Sequence, residues 1–182
     1  MLRTKDILDE KDPRVRAKNT DVDFPLNDEY KDIIPEMLKH LRYSQIEKLS
    51  KKYDLRPGMG LAAPQLGINK NFFVVCYEVK DGVFDDYILI NPKVISYSEE
   101  MIYAGEGEGC LSVNREVEGI VPRHARITVE AYDLDGNKRK YRVREDLAIA
   151  FQHELDHLNG ILFVDYIDPK DPYTNAELYR EI

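Results

Sequence analysis

Residues 151 to 160 read FQHELDHLNG, placing His153, Glu154, Asp156 and His157 within five consecutive positions among apolar neighbours. Ionisable side chains are costly to bury unless something pairs with them. A fold that accepts this stretch must therefore supply partners for it. On a helix, His153 and His157 project from one face, one turn apart. At ~100° per residue, Leu147, Phe151, Leu155 and Leu158 form a second stripe about 135° away, suited to a core. Ile149 and Ala150 precede His153 by about one turn and give the histidine side an apolar wall. Glu145 or Asp146 stands near the predicted helix start, and Asn159-Gly160 is its stop.

Around that helix the chain offers mostly strands. NFFVVCYEV (71–79) is an apolar run of strand length, and YILINPKVISY (87–97) reads as two strand pieces around Pro92. RITVEAYDLDGNKRKYRV (126–143) alternates on both sides of Asp135-Gly136, a hairpin pattern. Upstream, the first two dozen residues read as an extended arm. A helix starts near Asn27, with Pro35 as a kink or a first-turn residue. Ser44 and Glu47 have capping-box spacing for a second helix. The order predicts an α+β fold, with antiparallel strands around a central helix carrying H-E-x-x-H. With no repeat or linker, residues 1–182 are read as a single domain.

The net charge of −8 argues against a phosphate-dominated nucleic-acid binder, so no DNA partner is expected. No window approaches the ~18 apolar residues of a membrane span, and the first twenty residues have no apolar stretch of a secretory signal. With only Cys76 and Cys110, a disulfide framework is not expected, and the reading is a cytoplasmic protein. A monomer is expected rather than an obligate oligomer.

H-E-x-x-H on a helix is a metal pattern: two imidazoles ligate and the glutamate handles protons. It needs a third ligand. Gly160 suits one known downstream pattern, but Phe163 stands at its ligand position and cannot bind a metal. Glu177 or Glu181 would complete a two-histidine, one-glutamate site. The other candidate is Cys110 in the glycine-rich GEGEGCLSVN, where the backbone can turn sharply. A further stretch, RPGMGLAAPQLG (56–67), is dense in small residues and by itself reads as a tight turn with close packing.

Taken together, GMGLAAPQ (58–65), EGCLS (108–112) and HELDH (153–157) resemble the three signatures of peptide deformylases, complete and in order. The likeness extends through IVPRHARITVEAYDLDGN and GILFVDYID, and the segment before the first motif resembles the longer, Firmicutes-type members. The resemblance implies hydrolysis of the formyl group from the N-terminal formyl-methionine of nascent polypeptides. It implies Cys110, His153 and His157 as metal ligands and Glu154 as the acid–base group. The Gln65 amide and the Leu111 N–H would contact the formyl oxygen. Met59, Gly60, Glu108, Gly109, Ile149 and Ala150 are expected to bind substrate, chiefly along the methionine side chain. One divalent ion is implied, Fe2+ by expectation, with Zn2+, Ni2+ or Co2+ able to substitute. Ribosome contact is a secondary expectation, because the tail after Asp165 lacks the basic C-terminal helix of some shorter members. Asp156 is read as structural, paired with an arginine such as Arg123.

Two other readings compete: a zinc endopeptidase with Glu177 as third ligand, and a non-enzymatic metal-binding module. The module would need a fourth protein ligand, and His40 and His124 lie outside the motifs.

Overall fold

The computed structural model describes residues 1–182. Three α-helices and eight strands follow in the order α1 (Asp28–Gln45), α2 (Glu47–Tyr53), β1 (Gly60–Ala62), β2 (Phe72–Lys80), β3 (Val83–Tyr97), β4 (Met101–Tyr103), β5 (Arg123–His124), β6 (Arg126–Tyr132), β7 (Lys138–Arg144), α3 (Glu145–Leu158) and β8 (Arg180–Glu181). An antiparallel five-stranded sheet runs β1-β2-β3-β6-β7. A smaller sheet runs β5-β4-β8, in which β4 and β8 are parallel.

Strand β2 explains how the sheet is covered. Its Phe72, Val74 and Cys76 join Ile34, Met37 and Leu41 of α1 on one face. Its Phe73 and Val75 join Ala148, Ala150, Phe151 and Leu158 of α3 on the other. Alternate side chains of a strand point to opposite faces, so a strand covered on both sides reads as a continuous apolar run. On β6, by contrast, Ile127, Val129 and Ala131 face α3, while Thr128 and Glu130 are only half-buried. The ring of Phe151 meets Phe73 at 5.7 Å and Tyr87 at 5.5 Å, both edge to face.

The fold-class expectation needs correcting. The α+β character and the antiparallel main sheet are present, but α3 lies against one face of that sheet while α1 covers the other. Nor does the H-E-x-x-H helix define the metal site by itself. The cluster of potential ligands is Cys110, His153 and His157, so a loop outside the helix supplies one of the three.

Local expectations also shift. Asn27 caps α1 by accepting from Tyr30 N–H at 3.0 Å. Pro35 lies inside α1 without ending it, because fully buried Ile34, Met37 and Leu41 hold both sides of the proline onto the sheet. Ser44 does not cap the second helix; it is buried within α1, its Oγ donating to Leu41 C=O at 2.7 Å and accepting from Gly58 N–H at 3.1 Å. Around Pro92, β3 is one strand with a register shift between Ile90 and Lys93, and Asn91 at φ +50°. The hairpin turn carries Gly136 at φ +80°.

The N-terminal arm is anchored. Val15 is fully buried, and Thr20 bridges Lys70. The arm also completes α3, whose last carbonyls have no partners within the helix. Asn19 Nδ2 donates to Leu158 C=O at 2.7 Å, and Arg16 Nη1 to Gly160 C=O at 3.0 Å. Gly160 adopts φ +71°, and a Cβ there would sit 2.8 Å from the Arg16 carbonyl oxygen. No helix is long and apolar enough to cross a membrane.

Candidate metal centre

The helical periodicity of α3 brings His153 and His157 to one face, and the turn at 109–112 carries Cys110 to meet them. One donor atom from each residue lies within 4.8 Å of the others. Cys110 Sγ is 3.3 Å from His157 Nε2. Two ligands of one tetrahedral ion, with metal–sulfur and metal–nitrogen bonds of ~2.3 and ~2.0 Å, stand about 3.5 Å apart. One soft thiolate and two imidazoles suit late first-row divalent ions. Ser112 N–H points at Cys110 Sγ from 3.4 Å, a favourable contact for a sulfur carrying negative charge. The residues therefore fit one divalent ion, with a coordination position left over for solvent or substrate.

Of the two histidines, His153 is held from behind, whereas His157 Nδ1 is buried without a hydrogen-bond partner. His153 Nδ1 lies 2.8 Å from Glu108 Oε1, which leaves Nε2 for the metal. Arg123 grips the same carboxylate through two bonds of 2.9 Å and reaches Asp156 at 2.6 Å. Tyr166 OH donates to Asp156 at 3.1 Å. The expected pairing of Asp156 with Arg123 is thus present. Burial pushes Glu108 up, but its bonds to His153 and Arg123 outweigh this and hold it at about 2. Burial also opposes charge on His153, yet Cys110 and Glu108 raise it well above the ordinary value. His157 is driven well below by burial and by the charge of His153. Phe163, which replaces a ligand in the downstream pattern, stacks on His153 with centroids 6.0 Å apart.

Glu154 sits beside this cluster, 3 % exposed, its Oε2 without a hydrogen-bond partner. Burial pushes its carboxyl up to about 7, against the opposing pull of His153. Gln65 is also buried. Its Oε1 accepts from Ala62 N–H at 2.9 Å, and its Nε2 donates to Ser112 Oγ at 3.0 Å while lying 3.6 Å from Cys110 Sγ. The Leu111 N–H has no backbone acceptor.

A cavity of about 380 Å³ opens onto the centre. Met59, Gly60, Glu108, Gly109, Ile149 and Ala150 all line it, together with Gln65, Cys110, Leu111, His153 and Glu154. His157 is not on its wall; it lies behind, 1 % exposed. Glu108 contributes to the wall, but its carboxylate is committed to His153 and Arg123, a role the sequence reading did not give it. Arg56 and Asp146, which also line the cavity, were missed as well. Arg56 hydrogen-bonds the carbonyls of Cys110 and Val113 and Asn114 Oδ1, tying the two loops together. Glu177 lies exposed in the short turn Ala176–Leu178, outside the cluster, which removes the endopeptidase reading.

A thiolate and two imidazoles around an open coordination position, next to a buried carboxyl and at the base of a cavity, define a mononuclear metal-dependent hydrolase. The family model described as polypeptide deformylase matches residues 4–173, and the chain belongs to that family. It is 46% identical over 177 residues to a peptide deformylase of Oceanobacillus iheyensis, covering 97% of each chain. A peptide deformylase of Macrococcus caseolyticus is 50% identical over 173 residues, with 94% of each chain covered. Among solved structures, the peptide deformylase of Thermotoga maritima superposes with a TM-score of 0.69 at 32% identity, covering 90% of this chain and 97% of that one. One from Legionella pneumophila gives 0.74 at 29% identity, with 91% and 87% covered. The two sequence relatives agree with the expected Firmicutes-type likeness.

Proposed function

We infer that this chain, as an enzyme of that family, acts as a metal-dependent hydrolase that removes the N-formyl group from methionine-initiated peptides and releases formate. The observation that carries this reading is the convergence of Cys110, His153 and His157 on one point beside the cavity. A divalent ion held there supplies Lewis acidity and makes water a nucleophile near neutral pH.

The chain's own groups divide the remaining work. Glu154, unpartnered and buried, accepts a proton from the attacking water and returns it to the departing amine. Leu111 N–H and the Gln65 amide donate to the formyl oxygen as it gains charge, Gln65 turning a hydrogen away from Cys110 Sγ. Each such donor contributes about 3 kcal/mol in comparable hydrolases. Met59, Gly60, Gly109, Ile149 and Ala150, with the backbone of Glu108, enclose the methionine side chain. Glu108 and Arg123 hold the His153 ring in place.

The thiolate offsets part of the metal charge, and ferrous iron is the ion we assign, with zinc, nickel or cobalt as substitutes. Residues 1–182 act as one catalytic domain, working as a monomer in the cytoplasm on nascent chains, without a DNA partner. Contact with the ribosome would use a mode other than a basic C-terminal helix.

The test is anaerobic purification, metal analysis and formate release from a formyl-methionyl peptide. Turnover is expected to follow metal content and to be lost with the metal in Cys110→Ser. Full turnover by metal-stripped protein, or a Cys110→Ser variant with unchanged metal and rate, would refute the reading.

A further inference from the structure

We propose that Asp146 selects formyl-methionyl peptides with a basic side chain at the third residue. The proposal rests on the deformylase reading above and adds a specificity determinant to it.

Asp146 lies in the first turn of α3 and lines the same cavity as Ile149, Ala150 and His153. Its side chain is exposed, and the neighbouring cations are committed elsewhere. Arg180 pairs with Glu145 at 2.8 Å and also with Glu100 at 2.8 Å. Arg144 lies 3.9 Å from Glu145. The remaining charges of the cavity wall belong to the metal end. Glu108 is held between Arg123 and His153, and Arg56 is held by the Cys110 and Val113 carbonyls. Asp146 is left to face whatever lies farther out.

Helix geometry fixes how far out that is. Asp146 and His153 are separated by nearly two turns, so they share a face about 10 Å apart along the axis. Ile149 and Ala150 lie between them. An extended peptide advances ~3.3 Å per residue, and its first and third side chains point the same way. For a peptide laid along α3 toward its N-terminus, with the formyl group at Cys110 and His153 and the methionine side chain against Ile149 and Ala150, the third side chain falls ~7 Å farther on the same side. That is about one helical turn beyond the apolar pair, at Asp146. A lysine or arginine there meets an unpaired carboxylate, and a glutamate is repelled.

The experiment compares kcat/KM for formyl-Met-Ala-Lys and formyl-Met-Ala-Glu, and for their isomers with the charged residue second. The proteins are the metal-loaded wild type, Asp146→Asn and Asp146→Lys. The wild type is expected to favour lysine over glutamate at the third position by about fivefold, the scale of an exposed ion pair. Asp146→Asn should bring the ratio close to one and Asp146→Lys should invert it. Added salt should shrink the wild-type preference. Because the ratio is taken within each protein, a lower overall rate in a variant does not disturb it. Equal rates in the wild type, a ratio unmoved by Asp146→Asn, or a preference confined to the second position would overturn the proposal while leaving the deformylase reading intact. Formate from none of the peptides would overturn that reading and this one with it.

Discussion

Gly60 and Glu154 are in direct contact: a Cβ at residue 60 would sit 2.3 Å from Glu154 Oε1. The absence of a side chain at the start of β1 is what lets the carboxyl of α3 stand beside the metal centre. Gly60→Ala should push Glu154 aside while leaving Cys110, His153 and His157 together. A displacement of about 1 Å costs roughly 10²-fold in rate. Metal content near that of the wild type, with formate release lower by about that factor, is the expected result.

Glu154→Ala tests the carboxyl itself. It removes a buried group that is not a ligand, so metal binding should persist. Loss of general acid–base catalysis costs roughly 10²- to 10⁴-fold. Metal analysis and steady-state kinetics on the same preparation check both halves, and wild-type rates would remove Glu154 from the mechanism.

Arg123 holds two carboxylates, Glu108 and Asp156, at 3 % exposure. Replacing it by methionine leaves buried Glu108 and half-buried Asp156 without their cation, a change that costs about 3–5 kcal/mol. The His153 ring also loses the group that fixes its Glu108 partner, so metal affinity should fall by roughly 10- to 100-fold. Denaturant titration of the metal-loaded protein and competition with a chelator measure the two effects separately.

His40 gives a pH dependence away from the metal. It is fully buried on α1, with Nδ1 3.1 Å from the Leu2 carbonyl oxygen and Nε2 unpartnered. Burial lowers its pKa below the ordinary 6.5, against the Leu2 hydrogen bond. The unfolded chain therefore takes up this proton first as pH falls. The stabilising contribution is complete above about 6.5 and is lost as the solution is acidified toward the folded-state pKa. His40→Gln should flatten the decline of unfolding free energy between about pH 7 and pH 5. An unchanged slope would assign the decline to other groups.

What could be read from the sequence was local. The two-residue period of 126–143 and the 3.6-residue period of 145–158 gave the hairpin and the metal helix, because each pattern is set by neighbours in the chain. Gly58 and Gly60 read alone as a tight turn. In the fold they make room for Leu111 and Glu154, since a Cβ at Gly58 would come within 2.8 Å of Leu111 Cδ1. Such an approach brings together distant segments and leaves no trace in local spacing. Glu108 lines the cavity as expected, but that its carboxylate turns toward His153 and Arg123 depends on segments distant in the chain. Ser44 had the spacing of a cap, but burial against Gly58 claimed its hydroxyl first.

The clasp of Arg16 and Asn19 on Gly160 and Leu158 ties together residues 144 and 139 positions apart in the chain. During translation, the loop bearing the thiol emerges well before the imidazoles it must meet, and the arm, which also bridges Lys70 through Thr20, gains its hold on α3 only once that helix is made. Two of the three metal donors therefore follow the thiol by more than forty residues, and a polypeptide that stops short of this helix lacks both of them.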